Sequence, residues 1–232
     1  MYEKTILNFK SLKDQVCEYL REQMEKGFLR PGSYINMEET SKKLGISKTP
    51  LRDALLQLEM ENFVSIIPRR GVIVNALTLK DIKEYYEIVG SLESTALLNA
   101  FPRIKKSDVE RMYKLNEEMR KAIAEDNFNL YYQKNVKSHN IFLNHCSNNN
   151  LIRIVNNLKK RLYDFPRQEG FVKEWEETSI IEHQKLTDLI AKGKKEEAVG
   201  FIRDVHWSYK VQEKFIKRYY KHAVALAESR QD

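Results

Sequence analysis

Residues 36 to 74 hold the pattern that most restricts how this chain can fold: a short helix signal, a Gly45-Ile46 turn, a second helix signal, then two β-rich runs split by Pro68-Arg69-Arg70. Each piece has a local physical cause. Asn36 followed three residues later by Glu39 has the form of a capping box. Gly45 tolerates the positive φ that ends a helix abruptly. Ser47 offers a cap for the second helix, and Pro50 falls in its first turn, where a missing amide is harmless. Phe63-Val64-Ser65-Ile66-Ile67 and Gly71-Val72-Ile73-Val74 favour strands, with the proline and two arginines at the tip of a hairpin. The order is helix, turn, helix, basic wing.

In the second helix Leu51, Ala54, Leu55 and Leu58 repeat at helical spacing and mark the buried side. Ser47, Lys48, Thr49, Arg52 and Asp53 fall off that stripe, so hydroxyls and cations share the exposed start of the helix. Such a surface suits a phosphate backbone and then base edges. Arg52 has the planar fork for a guanine edge, whereas Lys48 acts as a point charge. Arg69, Arg70 and Gly71 would reach a minor groove or its phosphates. The competing reading, a merely solvated basic surface, does not explain why cap, turn, cation and hairpin occur in this order.

Net charge adds little. The chain carries +7, but residues 1–76 contain 12 Lys or Arg against 10 Asp or Glu, so placement of charge and not its total carries the inference. The basic run at Lys210, Lys214, Lys217, Arg218 and Lys221 reads as a solvated helix face. Two cysteines in 232 residues, Cys17 and Cys146, do not make a disulfide framework. No segment has the length and apolarity of a membrane span, and the first residues lack a secretory signal, so a cytoplasmic protein is expected.

A first helix is expected from Ser11, with an apolar stripe of Leu12, Val16, Tyr19, Leu20 and Met24 bracing the pair that follows. Asn75-Ala76-Leu77 then reads as a link, and Thr78-Leu79-Lys80-Asp81 as a new cap. This gives domains at 1–76 and 77–232. The second half reads as helical throughout, with breaks at Phe101-Pro102, Glu125 to Asn127, Ser147 to Asn150, Pro166 to Gly170 and Lys192 to Lys194, which predicts an antiparallel bundle of about six helices. The fold class is therefore mainly α: an N-terminal winged helix-turn-helix with a small β-hairpin, followed by a helical bundle.

From Val16 to Val74 the chain resembles the GntR family of bacterial transcription regulators. Gly27-Phe28-Leu29-Arg30-Pro31-Gly32 is similar to the family's turn after the first helix, Gly45 to Leu55 to its recognition helix, and Arg69-Arg70-Gly71 to its wing. Lys48 stands where the family usually has arginine. The helical second half resembles the FadR-type branch, whose all-helical (FCD) domain binds effectors. The resemblance implies a cytoplasmic, nucleoid-associated homodimer binding a palindrome in double-stranded DNA, answering to an organic metabolite and having no enzymatic activity; a repressor is expected, although the resemblance does not supply the sense of regulation.

Histidines are the residues of the second half that could carry chemistry. Asn135 and His139 are four apart and share a helix face, and His183 and His206 lie on two later helices, so three imidazoles could meet at one point and suit Zn²⁺ or Ni²⁺. By spacing alone they could equally be unrelated core or surface residues. The resemblance adds that many FadR-type domains hold a metal with an Asp, the His four residues later, a His after an acidic residue and a His in the final helix. His139, His183 and His206 match those positions, and Asn148 with Leu151 resembles an Asn-x-x-Leu that follows. Asn135 replaces the Asp, so a divalent metal would be held more weakly and the site would be one charge more positive. Val89 stands where the family often has an arginine before Leu92-Glu93. Two alternatives remain at this point: a metal-dependent enzyme tethered to DNA, since an open metal position can activate water, or a DNA binder with an inert dimerisation domain.

Overall fold

A computed structural model describes residues 10–164 and 171–221, with residues 223 and 225. They divide into two compact units, one reaching to Leu77 and the other comprising Thr78–Leu162 and the described residues from Phe171 onward. No helix among them is long and apolar enough to cross a membrane.

The first unit opens with α1 (Leu12–Glu25), capped by the Ser11 hydroxyl, which accepts from the Asp14 amide. Strand β1 (Tyr34–Ile35), α2 (Met37–Leu44) and α3 (Lys48–Met60) follow, then β2 (Val64–Ile67) and β3 (Gly71–Val74). The three strands form an antiparallel sheet in the order β1-β3-β2, with Ile35 opposite Val72 and Ile67 opposite Gly71. Strand β1 has no sequence signal; two residues become a strand only because β3 offers them an edge. Asn36 accepts from the amides of Glu38 and Glu39, which makes the asparagine half of the expected capping box. Gly45 ends α2 at φ 64°, as the reversal requires.

One apolar core holds this unit together. Val16, Leu20 and Met24 of α1 meet Leu51, Leu55 and Leu58 of α3 and Val64, Val72 and Val74 of the sheet. Leu12, expected on the buried stripe, is exposed instead, because it begins the helix before α1 reaches the core.

The second unit is helical: α4 (Leu79–Ala100), a 3-10 turn at Phe101–Arg103, α5 (Lys106–Ala124), α6 (Phe128–His145), α7 (Asn149–Asp164), α8 (Lys173–Ala191), α9 (Lys195–Phe201) and α10 (Tyr209–Tyr219). Thr78 and Asp81 close a reciprocal capping box at the head of α4. The Asn148 side chain accepts from the Leu151 amide at 3.0 Å, so the Asn-x-x-Leu motif is a helix cap. Breaks fall at 101–103, 125–127, 146–148 and 192–194, while the one expected at Pro166 to Gly170 lies outside the described residues. Between α9 and α10 the chain widens into a π-turn, Ile202–His206. Single π-turns are uncommon and concentrate where a side chain must be re-aimed. Here the turn ends on His206, and the next residue, Trp207, lies against Gly90 of α4. A Cβ at Gly90 would sit 2.9 Å from the Trp207 Cβ, so glycine is what lets the turn approach.

Candidate functional site

Two constellations stand out, one in each unit. On the first unit, Ser47, Lys48, Thr49, Arg52 and Asp53 are exposed at the start of α3, while Leu51, Ala54, Leu55 and Leu58 are buried beneath them. Ser47 occupies the cap position without a side-chain capping bond, which leaves its hydroxyl and the first α3 amides available to an anion. Lys48 Nζ lies 2.6 Å from Glu38 Oε2, tying the first turn of α3 to α2. Arg52, Arg69 and Arg70 are exposed and form no ion pair among the described residues. Their charges therefore face outward uncompensated by any described carboxylate. At the wing tip the Arg70 amide donates to Ile67 C=O at 3.0 Å across Pro68-Arg69, and Arg69 takes φ 63°, a conformation that glycine or asparagine usually supplies. Gly71 follows at φ 104°. A non-glycine residue held there is strained, and such strain tends to persist where function needs the side chain.

On the second unit, His139 of α6, His183 of α8 and His206 of the π-turn converge, with one nitrogen from each within 4.8 Å of the others. All three are buried. His139 Nε2 lies 3.1 Å from His183 Nε2. Two nitrogens sharing a tetrahedral metal at about 2.0–2.1 Å stand roughly 3.4 Å apart, so the spacing suits a bridging cation as well as it suits one hydrogen bond.

The outer nitrogens are held by carboxylates. Glu93 Oε2, on α4, accepts from His139 Nδ1 at 2.7 Å, and Glu182 Oε2, on α8, accepts from His206 Nδ1 at 2.7 Å. A carboxylate can only accept, so each imidazole carries its proton on Nδ1 and turns Nε2 with its lone pair toward the cluster. The carboxylates are fixed in turn. Glu93 also accepts from Lys159 Nζ at 2.8 Å and Trp207 Nε1 at 2.8 Å. Glu182 also accepts from Gln212 Nε2 at 2.8 Å, and Gln212 Oε1 accepts from Trp175 Nε1 at 2.9 Å.

Burial keeps His139 and His183 in their ligating form. Burial lowers the His139 pKa to about 4, with the Lys159 charge helping and Glu93 opposing. Burial, then the neighbouring His206 and His139, push His183 well below its ordinary value. Burial works against the Glu93 carboxylate, but His139 and Lys159 outweigh it and hold it below the usual range. Neutral imidazoles beside ionised carboxylates are what a metal needs.

Asn135 lies one turn before His139 on α6 and is buried. Its Nδ2 donates to the Tyr131 hydroxyl at 3.2 Å, while its Oδ1 has no hydrogen-bond partner. His183 Nδ1 is likewise buried without one. An unsatisfied buried amide oxygen is costly, and a cation is one way to satisfy it. The donor set thus fits a divalent metal: three imidazoles, with an amide oxygen one helical turn away.

Sequence reasoning anticipated the three histidines and missed what supports them. Glu182 was visible beside His183, and Glu93 in the Leu92-Glu93 pair, yet nothing local marks Lys159, Trp207 or Gln212 as their partners. His145, given no partner from sequence, pairs with Asp108 at 2.9 Å, and Cys146 is a buried free thiol. His222 lies outside the described residues.

Comparison with known proteins agrees with both units. Residues 12–74 match the family of bacterial regulatory proteins of the gntR type, and residues 84–205 match the FCD domain. The chain is 27% identical over 188 residues to the uncharacterized HTH-type transcriptional regulator YdhC of Bacillus subtilis, covering 79% of this chain and 83% of that one. It is 25% identical over 169 residues to the gluconate operon transcriptional repressor of the same species, covering 71% and 68%. Among solved structures, Escherichia coli McbR/YncC superposes with a TM-score of 0.67 at 20% identity, covering 97% of this chain and all of that one, a likeness of fold. These relatives are transcription regulators and not enzymes. The chain belongs to the GntR family of DNA-binding transcription regulators, in the group that carries an FCD domain.

Proposed function

We propose that residues 1–76 read a palindromic operator as one half of a homodimer, and that residues 77–232 sense a small organic metabolite at a metal held by His139, His183 and His206, with Asn135 as a weaker fourth ligand. The convergence of three buried imidazoles, two of them braced by carboxylates, carries the metal half of this reading. Zinc or nickel suits the nitrogen-rich set. The bound ion would supply an anchor for an oxygen-bearing effector; the chain's own part is to present Nε2 lone pairs and to bury the site away from water. By analogy with the gluconate operon repressor, repression is the expected sense of regulation. Cytoplasmic location follows from a DNA target.

On the DNA side, Arg52 would read a base edge, Lys48, Ser47 and Thr49 would meet phosphates or bases at the start of α3, and Arg69, Arg70 and Gly71 would follow the minor groove. Lys48 must exchange Glu38 for DNA when it binds. Arg52→Ala should weaken specific binding by about 1–3 kcal/mol and leave non-specific binding nearly unchanged.

Elemental analysis of protein equilibrated with zinc and then dialysed tests the sensor half. One zinc per chain is expected. Less than about a tenth of that would reject the metal and leave a domain that only dimerises.

A further inference from the structure

We propose that Asn116 of α5 is the outer partner of His183: its side-chain oxygen accepts the Nδ1 proton that His183 must carry when its Nε2 binds the ion. Asn116 is then a positioning residue for the third imidazole, as Glu93 is for His139 and Glu182 for His206. The inference rests on the metal reading above and adds to it a residue outside the histidine set.

The proton inventory of the cluster creates the need. His139 donates Nδ1–H to Glu93, so its Nε2 holds a lone pair. The 3.1 Å contact between the two Nε2 atoms then requires the proton of a neutral His183 to sit on its own Nε2. When that Nε2 gives its lone pair to an ion, the Nε2–H bond breaks and an Nδ1–H bond forms, and the ring stays neutral. The new N–H needs an acceptor, because His183 Nδ1 is buried and unpaired.

A ladder of side chains holds one ready. The Asp188 carboxylate can only accept, and Gln184 Nε2 donates to its Oδ1 at 3.0 Å. Gln184 therefore turns Oε1 toward Asn116, whose Nδ2 donates to it at 3.0 Å. This fixes the Asn116 amide, leaving Oδ1 as its free end. Asn116 is buried, and that oxygen has no hydrogen-bond partner. The unpaired oxygen of Asn135 is the one assigned to the ion.

The two orphaned atoms lie at one level of the bundle. Tyr113 donates to Asp188 at 2.8 Å and Asn116 to Gln184, so α5 and α8 run antiparallel in a fixed register. Met112, one turn before Asn116, lines a small cleft with His183, Leu186 and Thr187. Met119, three residues after it, packs in the cluster that holds Ile180. Between those contacts the buried residue of α5 is Asn116 and that of α8 facing the cleft is His183. With the proton on Nε2 both atoms are acceptors and neither is paired; moving it to Nδ1 makes one of them a donor.

Zinc titrations of the full-length protein against a competing chromophoric chelator, with nitrogen-15 spectra of its imidazoles, compare the wild type with Asn116→Leu and Asn116→Asp. Asn116→Leu should lower zinc affinity by roughly 10–100-fold, as loss of an outer partner does, and move the His183 Nδ1 proton upfield. Asn116→Asp, a stronger acceptor, should keep the affinity at or above that of the wild type and move the proton downfield. A residue that only packs would change the melting temperature and leave both readings alone. Unchanged zinc affinity in Asn116→Leu, or a His183 proton that responds to neither variant, overturns this proposal and leaves the metal reading standing. A wild type that takes no zinc overturns both.

Discussion

The two units bury opposite kinds of interior. In the first, the core from Val16 to Val74 is apolar, and Lys48 and Arg52 of α3 and Arg69 and Arg70 of the wing stay outside, so the proposed DNA-reading surface is separate from the packed one. In the second, Glu93, His139, Lys159, Glu182, His183, His206 and Gln212 lie inside among leucines, methionines and aromatics. The difference teaches where function resides. A surface that reads DNA can change without touching stability, whereas a buried polar cluster must be satisfied group by group or it unfolds its surroundings.

The largest effect should come from breaking the apolar interior. Leu58→Ala empties a fully buried position in α3 and should destabilise the first unit by about 2–5 kcal/mol. Hydrogen exchange would show faster opening of α1 and α3 peptides, with cobalt affinity unchanged. A matching loss of cobalt binding would deny that the two interiors are independent.

Next is the polar interior. His183→Ala should weaken cobalt(II) binding at least about a hundredfold, beyond the roughly 10–100-fold typical of losing an outer partner, and abolish the visible absorption of nitrogen-bound cobalt. Asn135→Asp should strengthen it, since a carboxylate replaces an amide oxygen. Unchanged affinity in both variants would place the metal elsewhere.

Gly90→Ala tests the support and not the ligands. The added methyl meets Trp207 at 2.9 Å and should destabilise by about 1–3 kcal/mol while shifting the π-turn that carries His206. Cobalt affinity should fall by a smaller factor than in His183→Ala. A variant with native stability and affinity would mean that the turn is not held by this contact.

Acid gives the gentlest probe. The His139 pKa, about 4 when folded, lies below its unfolded value near 6.5, so the unfolded chain binds more protons between them. His139 therefore contributes stability that is complete above pH 6.5 and shrinks as pH falls toward 4, by at most about 1.4 kcal/mol per unit. Glu176 has the opposite sign: raised to about 7, it favours folding at low pH and loses that contribution as pH climbs through 7. Metal-free melting curves of the wild type and of Glu176→Gln should thus diverge above pH 5, with the variant less sensitive. Parallel curves would contradict the buried state of that carboxyl.

How much of this was legible in the sequence follows the same division. Helices α1 and α3, the wing and the caps at Ser11, Asn36 and Thr78 depend on neighbours within four residues, so spacing revealed them. Strand β1 depends on a partner 37 or more residues away and was invisible. The histidines could be proposed because Asn135 and His139 share a face and the resemblance supplied the others. Their supports could not, since Lys159 meets Glu93 across 66 residues, Gln212 meets Glu182 across 30, and Trp207 meets Glu93 across 114. No local pattern encodes such pairings; they exist only once the bundle has packed. The π-turn belongs with them, being set by how closely Trp207 approaches Gly90.

The most direct measurement of the DNA-reading face is selection from a random pool of double-stranded DNA with the full-length protein and with Arg52→Ala. Enrichment of one palindromic sequence by the wild type, lost or broadened at particular base positions in the variant, is the predicted result. Enrichment of the same sequence by both proteins, or of none by the wild type, would contradict the assignment of sequence reading to the exposed start of α3.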